Sequence, residues 1–179
     1  YSGRGTELIN EDLNHQETRA VVDLIMDKTR ECFDAVTPKE VLTVDNHADG
    51  PYVWMRMKRE DPKRAEEVFE LLQYNEGNSS GRGIGCISWD GKVHADQFWR
   101  DHTFGNVLER PFSQIWDDPQ IELLHKLKDK KAHVKGRCAK CQFLNICGGN
   151  FRARAEAFYG DEWAQDPACY LTDEEIGIK

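Results

Sequence analysis

Four cysteines in the last quarter of the chain constrain its fold more than any other feature. They follow the spacing Cys-x2-Cys-x5-Cys-x21-Cys and are Cys138, Cys141, Cys147 and Cys169. A Cys-x2-Cys pair lets two thiolates from one tight turn reach the same metal, and the later cysteines complete four-coordination. Structural zinc and cubane iron–sulfur clusters both use four thiolates in this way, so the spacing alone leaves both open. Cysteines with unrelated roles are a third interpretation.

Length, charge and hydrophobicity indicate which kind of protein carries such a site. The chain has 179 residues, enough for one domain with its own core and a small appendage. Its net charge of −8 argues against general nucleic-acid binding. No apolar run approaches the roughly 20 residues that span a bilayer, and no signal peptide is visible. We therefore expect no membrane partner and a cytoplasmic location, where cysteines bind metal rather than form disulfides.

A basic stretch precedes and enters the cysteine region. Residues 126–140 carry seven basic side chains and one acidic side chain. Such a run is typical of a solvated helix face. It also fits a local positive potential beside a negatively charged cluster, an anionic substrate or a redox partner.

The first part of the chain has the pattern of an incomplete α/β domain. Helices are predicted over residues 14–32, which open with a capping box from Asn14 to Glu17, and over residues 61–74. The β-branched residues 40–45 predict a short strand between them. Because these elements are too few to close a barrel, we interpret residues 1–78 as the tail of a larger α/β domain. The chain opens on Tyr1 rather than Met, which fits a piece of a longer protein.

The second part, residues 79–179, has a different character. Residues 86–98 predict a β-hairpin with a two-residue Asp90-Gly91 turn. Helices are predicted over residues 111–116, 118–130 and 150–158, the last ended by Gly160. The cysteine-rich loop follows the second of these helices and is interrupted by the third, so that Cys169 comes after it.

Several stretches of the chain resemble a known family. GCISWDGKVHADQ, CAKCQFLNICGGNFRARAEA and DPACYLTDEE resemble the SPASM/twitch extension of radical SAM enzymes. With ELINEDL and KEVLTVDNHADGPY, they are similar to the radical SAM family of haem d1 biosynthesis, whose neighbours act in the alternative haem pathway. The resemblance covers nearly the whole chain. It implies the C-terminal part of a radical SAM partial (β/α) barrel over residues 1–78, followed by a SPASM/twitch-type domain over residues 79–179.

The chain departs from the two-cluster SPASM pattern at two positions. Asp96 and Phe151 stand where that pattern has cysteines, so only the outer ligand set is complete. The resemblance therefore implies one auxiliary [4Fe–4S] cluster, bound by Cys138, Cys141, Cys147 and Cys169. Cys86 matches a ligand position of the second cluster but lacks partners, and Cys32 stands alone on a helix. We interpret both thiols as packing residues.

The resemblance also implies chemistry that this chain cannot perform alone. Radical SAM enzymes bind their catalytic cluster through Cys-x3-Cys-x2-Cys, which this sequence lacks. A second [4Fe–4S] cluster and S-adenosylmethionine are thus expected in the full-length enzyme, and the fragment alone is expected to be inactive. The implied reaction removes propionate side chains from didecarboxysirohaem. The implied partners are that sirohaem-derived tetrapyrrole and an electron donor such as ferredoxin or flavodoxin.

Residues that could contact such a substrate lie in two places. A tetrapyrrole offers carboxylates to cationic or hydrogen-bonding groups, and its iron can take axial ligands. The candidates are His47 and Asp45 after the predicted strand, and His94, Arg100 and His102 around the hairpin. For each histidine a structural role is the alternative. Two other function classes fit the cysteines: a zinc-stapled structural or interaction module, and a small iron–sulfur electron carrier.

Overall fold

The structure, a computed structural model, describes residues 7–8 and 10–178. Within them the chain forms seven α-helices and one three-stranded antiparallel sheet. The helices are α1 (His15–Asp34), α2 (Asp49–Glu60), α3 (Pro62–Asn75), α4 (Phe112–Trp116), α5 (Glu122–Lys128), α6 (Leu144–Cys147) and α7 (Arg152–Tyr159). The strands are β1 (Cys86–Ile87), β2 (Lys92–His94) and β3 (Gly105–Asn106), in that order across the sheet. Tyr1 lies outside the described residues.

The helix starts predicted in the first part of the chain are confirmed. The Asn14 side chain accepts the backbone N–H groups of Gln16 and Glu17, and the Glu17 carboxylate accepts the Asn14 N–H. This reciprocal pair satisfies N–H groups that a helix terminus leaves unpaired. At α3, Asp61 accepts the N–H of Arg64, and Pro62 occupies the first helical position.

The strand predicted over residues 40–45 is wrong. These residues have irregular backbone, and the side chains of Leu42 and Val44 are 77% and 74% exposed. A strand requires a neighbour to take up its N–H and C=O groups, and no described segment pairs with this one. The next helix, α2, was missed and begins inside the predicted loop of residues 46–50. The described part of the chain therefore does not show the barrel implied by the resemblance.

The hairpin is confirmed, but its turn is one residue longer than predicted. Cys86 lies opposite His94 in the antiparallel pair of β1 and β2. The Ser88 N–H donates to the Lys92 carbonyl, which leaves three residues, 89–91, in the loop. Gly91 closes the loop with a φ of +83°, the left-handed position that three-residue hairpin loops use. β2 ends at His94 rather than at residue 98, and β3 pairs with its other edge.

The helices after the hairpin follow the prediction with one shifted start. α4 and α7 lie where they were expected, and Gly160 ends α7 in the left-handed conformation. α5 begins at Glu122 rather than at residue 118, because the Asp118 carboxylate holds the Gln120 N–H in a turn instead of capping a helix.

Two hydrophobic clusters form the interior. The first combines residues from before and after position 78, namely Val22, Ala48, Tyr52, Phe143, Ile146, Tyr170, Leu171 and Ile176. The second lies under the sheet and consists of Val93, Ala95, Trp99, Phe104, Ile115, Leu124, Leu127 and Trp163. The domain boundary at residue 78 stays a prediction. Among the described residues, no helix has both the length and the apolar character needed to cross a membrane.

Candidate metal centre

The four predicted cysteine ligands line a single cavity. Cys138, Cys141, Cys147 and Cys169 come together there with apolar neighbours that include Ala48, Pro51, Phe143, Leu144 and Ile176. The cavity has a volume of about 20 Å³, the room of roughly one water molecule. Four thiols facing one apolar space fit the donor chemistry of an iron–sulfur cluster. Admitting a cluster requires the surrounding side chains to move outward.

Short turns position the first three cysteines. Cys138 opens a 3₁₀ turn, Cys138–Lys140, and the Cys141 N–H closes on the Cys138 carbonyl at 3.2 Å. The Cys141 sulfur accepts the N–H of Phe143 at 3.3 Å. Cys147 is the last residue of α6, which ends because Gly148 adopts a left-handed φ of +64°.

Arg137 holds the distant fourth cysteine beside the other three. Its guanidinium donates to the carbonyls of Cys169 and Leu171, and its Nε lies 3.0 Å from an Asp173 carboxylate oxygen. Asp166 shapes the turn before Cys169, because its carboxylate accepts the N–H groups of Phe151 and Ala168, both at 2.8 Å. One arginine next to Cys138 thus fixes the segment that carries Cys169.

Burial suppresses the free thiolate form of these cysteines. It raises the pKa of Cys169 to about 11 and raises the pKa of Cys147 further. The pKa of Cys141 is also raised, mainly by burial. The thiolate is nevertheless the form that binds metal, so metal binding must displace these protons. Burial therefore favours neutral thiols, and a metal bound there would stabilise their charged forms.

The positions of the four cysteine side chains also bear on the choice between one metal ion and a cluster. Among the described residues, no three side chains of His, Cys, Asp or Glu meet closely enough to hold one metal ion. A tetrahedral zinc site with Zn–S bonds of about 2.3 Å would draw its sulfurs around one point. Either a zinc ion or a cluster would thus require the sulfurs to move, and the geometry leaves both open.

A large open cleft adjoins the cysteine cavity. It has a volume of about 1110 Å³ and shares Cys169 and Arg137 with that cavity. Its aromatic lining comes from Phe98, Phe151, Phe158 and Tyr159, and its polar lining includes His15, Asn46, Arg154 and Asp166. Arg154 pairs with Asp166 at 2.8 Å and donates to the Asp45 carbonyl. A ligand in this cleft would lie beside the segment that carries Cys169.

The substrate-contact candidates lie in different places. Asp45 lines the cleft. His47 is half-buried next to it, and its pKa is lowered mainly by burial, with Lys130 adding to the effect. Both ring nitrogens of His94 are engaged within the hairpin region, one with the His102 carbonyl at 2.7 Å and one near Ser88 Oγ at 3.2 Å. His94 therefore has no ring nitrogen to offer a ligand.

The other two candidates sit on the sheet side of the molecule. His102 pairs with Glu156 at 2.7 Å. Arg100 is exposed and stacks on the Trp89 ring at 5.3 Å. Neither residue lines the cleft. The aromatic side chains that do line it were missed, although their presence at both ends of α7, in FRARAEAFY, was the available signal.

The positions where the cysteine pattern is broken hold structural side chains. Asp96 is buried, and one of its carboxylate oxygens accepts the N–H groups of Phe98 and Trp99 at 2.7 and 2.9 Å. Phe151 packs edge-on against Phe98 in the cleft. Cys86 is half-buried in β1, and Cys32 is half-buried on α1.

The basic stretch is largely paired within the fold. Exposed ion pairs join Lys126 to Glu122, Lys128 to Asp117 and Lys135 to Asp161. Lys130 is buried instead, and its ammonium donates to the carbonyl and side-chain oxygens of Asn78. Burial lowers the pKa of Lys130 to about 7. These contacts support the solvated-face interpretation for most of the stretch.

Comparison with known proteins adds independent findings. Residues 80–142 match the SPASM family, described as an iron–sulfur cluster-binding domain. That match includes Cys138 and Cys141 and ends before Cys147 and Cys169. No solved structure shows a significant match to the chain.

Relatives with curated names match between two thirds of the chain and nearly all of it. The chain is 61% identical over 180 residues to the Fe-coproporphyrin III synthase of Methanosarcina barkeri, covering 99% of this chain and 45% of the relative. It is 39% identical to the Pre-heme d1 synthase of Dinoroseobacter shibae, covering 99% of this chain and 44% of the relative. An AdoMet-dependent heme synthase of M. barkeri is 40% identical over 125 residues, which are 66% of this chain and 34% of the relative.

The chain thus spans less than half the length of these relatives. Its match to SPASM covers the hairpin and the first two cysteines of the cavity. The chain is therefore similar to the SPASM iron–sulfur cluster-binding domain over residues 80–142, and along nearly its whole length to proteins named Fe-coproporphyrin III synthase and Pre-heme d1 synthase.

Proposed function

We propose that the full-length protein is a radical SAM enzyme of haem synthesis and that this chain holds one auxiliary [4Fe–4S] cluster. Cys138, Cys141, Cys147 and Cys169 would bind it. The observation that carries the proposal is the single cavity lined by all four cysteines, in a chain that matches a cluster-binding domain. A bound [4Fe–4S] cluster supplies one-electron transfer at this place.

The substrate we propose is a sirohaem-derived iron tetrapyrrole with carboxylate side chains. The relative at 61% identity is named for making Fe-coproporphyrin III, so this product is the first candidate. Removal of propionates from didecarboxysirohaem on the way to haem d1 is the second, supported by the 39% identical Pre-heme d1 synthase. In either case S-adenosylmethionine and the second [4Fe–4S] cluster would bind elsewhere in the full-length enzyme.

The cleft beside Cys169 is the proposed place for the macrocycle. Its volume of about 1110 Å³ is large enough for a ligand of tetrapyrrole size. Phe98, Phe158 and Tyr159 offer flat apolar faces, and Arg154 lies among them to attract a carboxylate. Arg137 borders both the cleft and the cysteine cavity, so the ligand and the cluster would share one wall.

Metal analysis tests the cluster directly. We expect the anaerobically purified chain, after reconstitution, to contain about four irons and four sulfides, with a brown chromophore that a reductant bleaches. One zinc, no sulfide and failed reconstitution would instead support a zinc-stapled module. If the reconstituted chain transfers electrons by itself, without any further domain, this would support the third function class, a small iron–sulfur electron carrier.

Product analysis tests the reaction in the full-length enzyme. The enzyme would be incubated with didecarboxysirohaem, S-adenosylmethionine and reduced ferredoxin or flavodoxin. Fe-coproporphyrin III as the product would support the first candidate, and a haem d1 precursor would support the second. Cleavage of S-adenosylmethionine with neither tetrapyrrole product would contradict both.

A further inference from the structure

Arg152 is the most deeply buried cation of the described chain. It is the first residue of α7 and is 1% exposed. Its Nη1 donates to the carbonyls of Glu162 and Ala164, and its Nη2 donates to the carbonyl of Gly149. Its Nε, although fully buried, has no hydrogen-bond partner. A buried donor without a partner is unfavourable by about 1–3 kcal/mol and calls for an explanation.

The unpartnered Nε lies close to Gly149. Gly149 forms part of the cavity wall, and a Cβ built on it would lie 3.7 Å from Arg152 Nε. Burial lowers the pKa of Arg152, while negative charge on Cys138, Asp166 and Cys147 raises it. Two of the four proposed ligands are thus electrostatic neighbours of this guanidinium. Asp166 already pairs with Arg154, and the buried Nε of Arg152 has no carboxylate as a partner.

A cluster held by four thiolates would supply the hydrogen-bond acceptor that Arg152 Nε lacks. Such a group carries negative charge and presents sulfur atoms that accept hydrogen bonds. Hydrogen bonds and positive charge near the sulfurs favour the reduced state and so raise the reduction potential. The three carbonyl contacts hold the guanidinium in place, so its orientation would not depend on the cluster.

We propose that Arg152 is a positioning residue that donates its Nε–H to a sulfur of the cluster or of a ligating cysteine and raises the cluster's reduction potential. This inference rests on the proposed function, because it requires a cluster in the cavity. It goes beyond the four cysteines by assigning the group that compensates their charge.

Potentiometric EPR on the reconstituted chain tests whether the positive charge of Arg152 raises the cluster's reduction potential. In Arg152→Met, which keeps an unbranched apolar stem but removes the guanidinium, the midpoint potential should shift to a more negative value, and cluster loss to a chelator should become about tenfold faster. Arg152→Lys, which keeps the charge, should have a midpoint potential between those of the wild type and of Arg152→Met. Lys135→Met, which removes an exposed cation from the preceding loop, is the matched control and should leave the potential unchanged. An Arg152→Met cluster with the wild-type potential would overturn the proposal.

Arg152 also donates to three backbone carbonyls, so loss of folding in its variants would prevent the comparison of potentials. A measurement on the wild-type chain tests the proposal independently of those variants. With ¹⁵N incorporated at arginine, pulsed EPR of the reduced cluster should detect a nitrogen coupling that disappears in Arg152→Lys. Absence of the coupling in the wild-type chain would overturn the proposal. So would its persistence in Arg152→Lys, which would assign it to Arg137. If the wild-type chain binds no iron and sulfide at all, the proposed function itself fails.

Discussion

Asn150 ties the cysteine loop to a segment that precedes it by more than one hundred residues. Its side-chain amide donates to Asn46 Oδ1 at 2.8 Å, and its own oxygen accepts the His47 N–H at 2.9 Å. The residue is 1% exposed and has a φ of +58°, a conformation that asparagine tolerates better than most residues. At the scale of one residue, a single amide thus joins the wall of the cavity to the edge of the cleft.

Replacing Asn150 by alanine should therefore destabilise the fold. We expect Asn150→Ala to lower the free energy of unfolding by about 3 kcal/mol, because two buried hydrogen bonds are lost and alanine is strained at a positive φ. Urea denaturation of the cluster-free chain measures this change. Asn145→Ala, at an exposed position of α6, is the control and should change stability by less than about 0.5 kcal/mol. Equal midpoints for the two variants would contradict the role given to Asn150.

Phe98 provides a residue-scale test of the cleft. Its ring lines the cleft and is 45% exposed, so its removal should reduce ligand stacking without emptying the core. We expect Phe98→Ala to weaken binding of Fe-coproporphyrin III about tenfold, since one aromatic stacking contact contributes on the order of 1–3 kcal/mol. Absorbance titration measures the affinity. Trp89→Ala, which removes an aromatic ring that is 87% exposed and outside the cleft, should bind normally. Equal weakening in both variants would remove the cleft as the binding place.

At the scale of elements, the end of α3 packs directly against the end of α6. The N–H of Asn78 donates to the Cys147 carbonyl at 3.3 Å. Gly77, at a φ of +69°, is so close that a Cβ on it would lie 2.2 Å from the same carbonyl oxygen. This contact fixes the position of the backbone around Cys147. Glycine is therefore required at residue 77 both for the close approach to that carbonyl and for the positive φ.

A pair of glycine substitutions separates these two requirements. Gly77→Ala should lower the free energy of unfolding by about 3 kcal/mol and should also reduce cluster content, because the backbone around Cys147 must move. Gly160→Ala has nearly the same φ, +68°, but no atom within 4 Å of the added Cβ. It should lose only about 1 kcal/mol and keep its cluster. Thermal unfolding and iron analysis test both, and a normal cluster content in Gly77→Ala would contradict the argument.

At the scale of the whole molecule, an ion pair joins the first helix to the last segment. Arg19 on α1 pairs with Glu175 at 2.6 Å, and its guanidinium also stacks on the ring of Tyr52. The Arg19 hydrogen bond is the main reason that the pKa of Glu175 falls from 4.5 to about 2. A carboxylate with a lowered pKa in the folded state stabilises the fold above its unfolded pKa.

The stabilisation by Glu175 should depend on pH in a defined direction. We expect Glu175→Gln to lower the free energy of unfolding by about 1–2 kcal/mol at pH 7. The difference from the wild type should shrink as the pH falls from 4.5 toward 2, where the wild-type carboxyl becomes protonated. Denaturation at several pH values measures this trend. Glu31→Gln, in an exposed pair with Lys28, should show little effect, and a Glu175 difference that persists at pH 2 would contradict the assignment.

Local signals predicted those parts of the fold that depend on neighbouring residues. The Asn14 capping box, the Asp61-Pro62 helix start and the Gly160 helix end were predicted from a few adjacent positions and are confirmed. The strand over residues 40–45 failed because a strand depends on a partner that its own sequence does not specify. The cleft was missed for the same reason, since its lining comes from α1, the hairpin region and α7.

The sequence by itself determined that four cysteines with metal-ligand spacing occur together, because ligand identity and short-range spacing are properties of the chain. Only the tertiary structure decided that Cys169 reaches the other three, that Arg137 holds it there and that the buried Nε of Arg152 has no hydrogen-bond partner. It also decided that the aromatic cleft adjoins this cavity. Those contacts join residues far apart in the chain, and packing against a shared core is what brings them together.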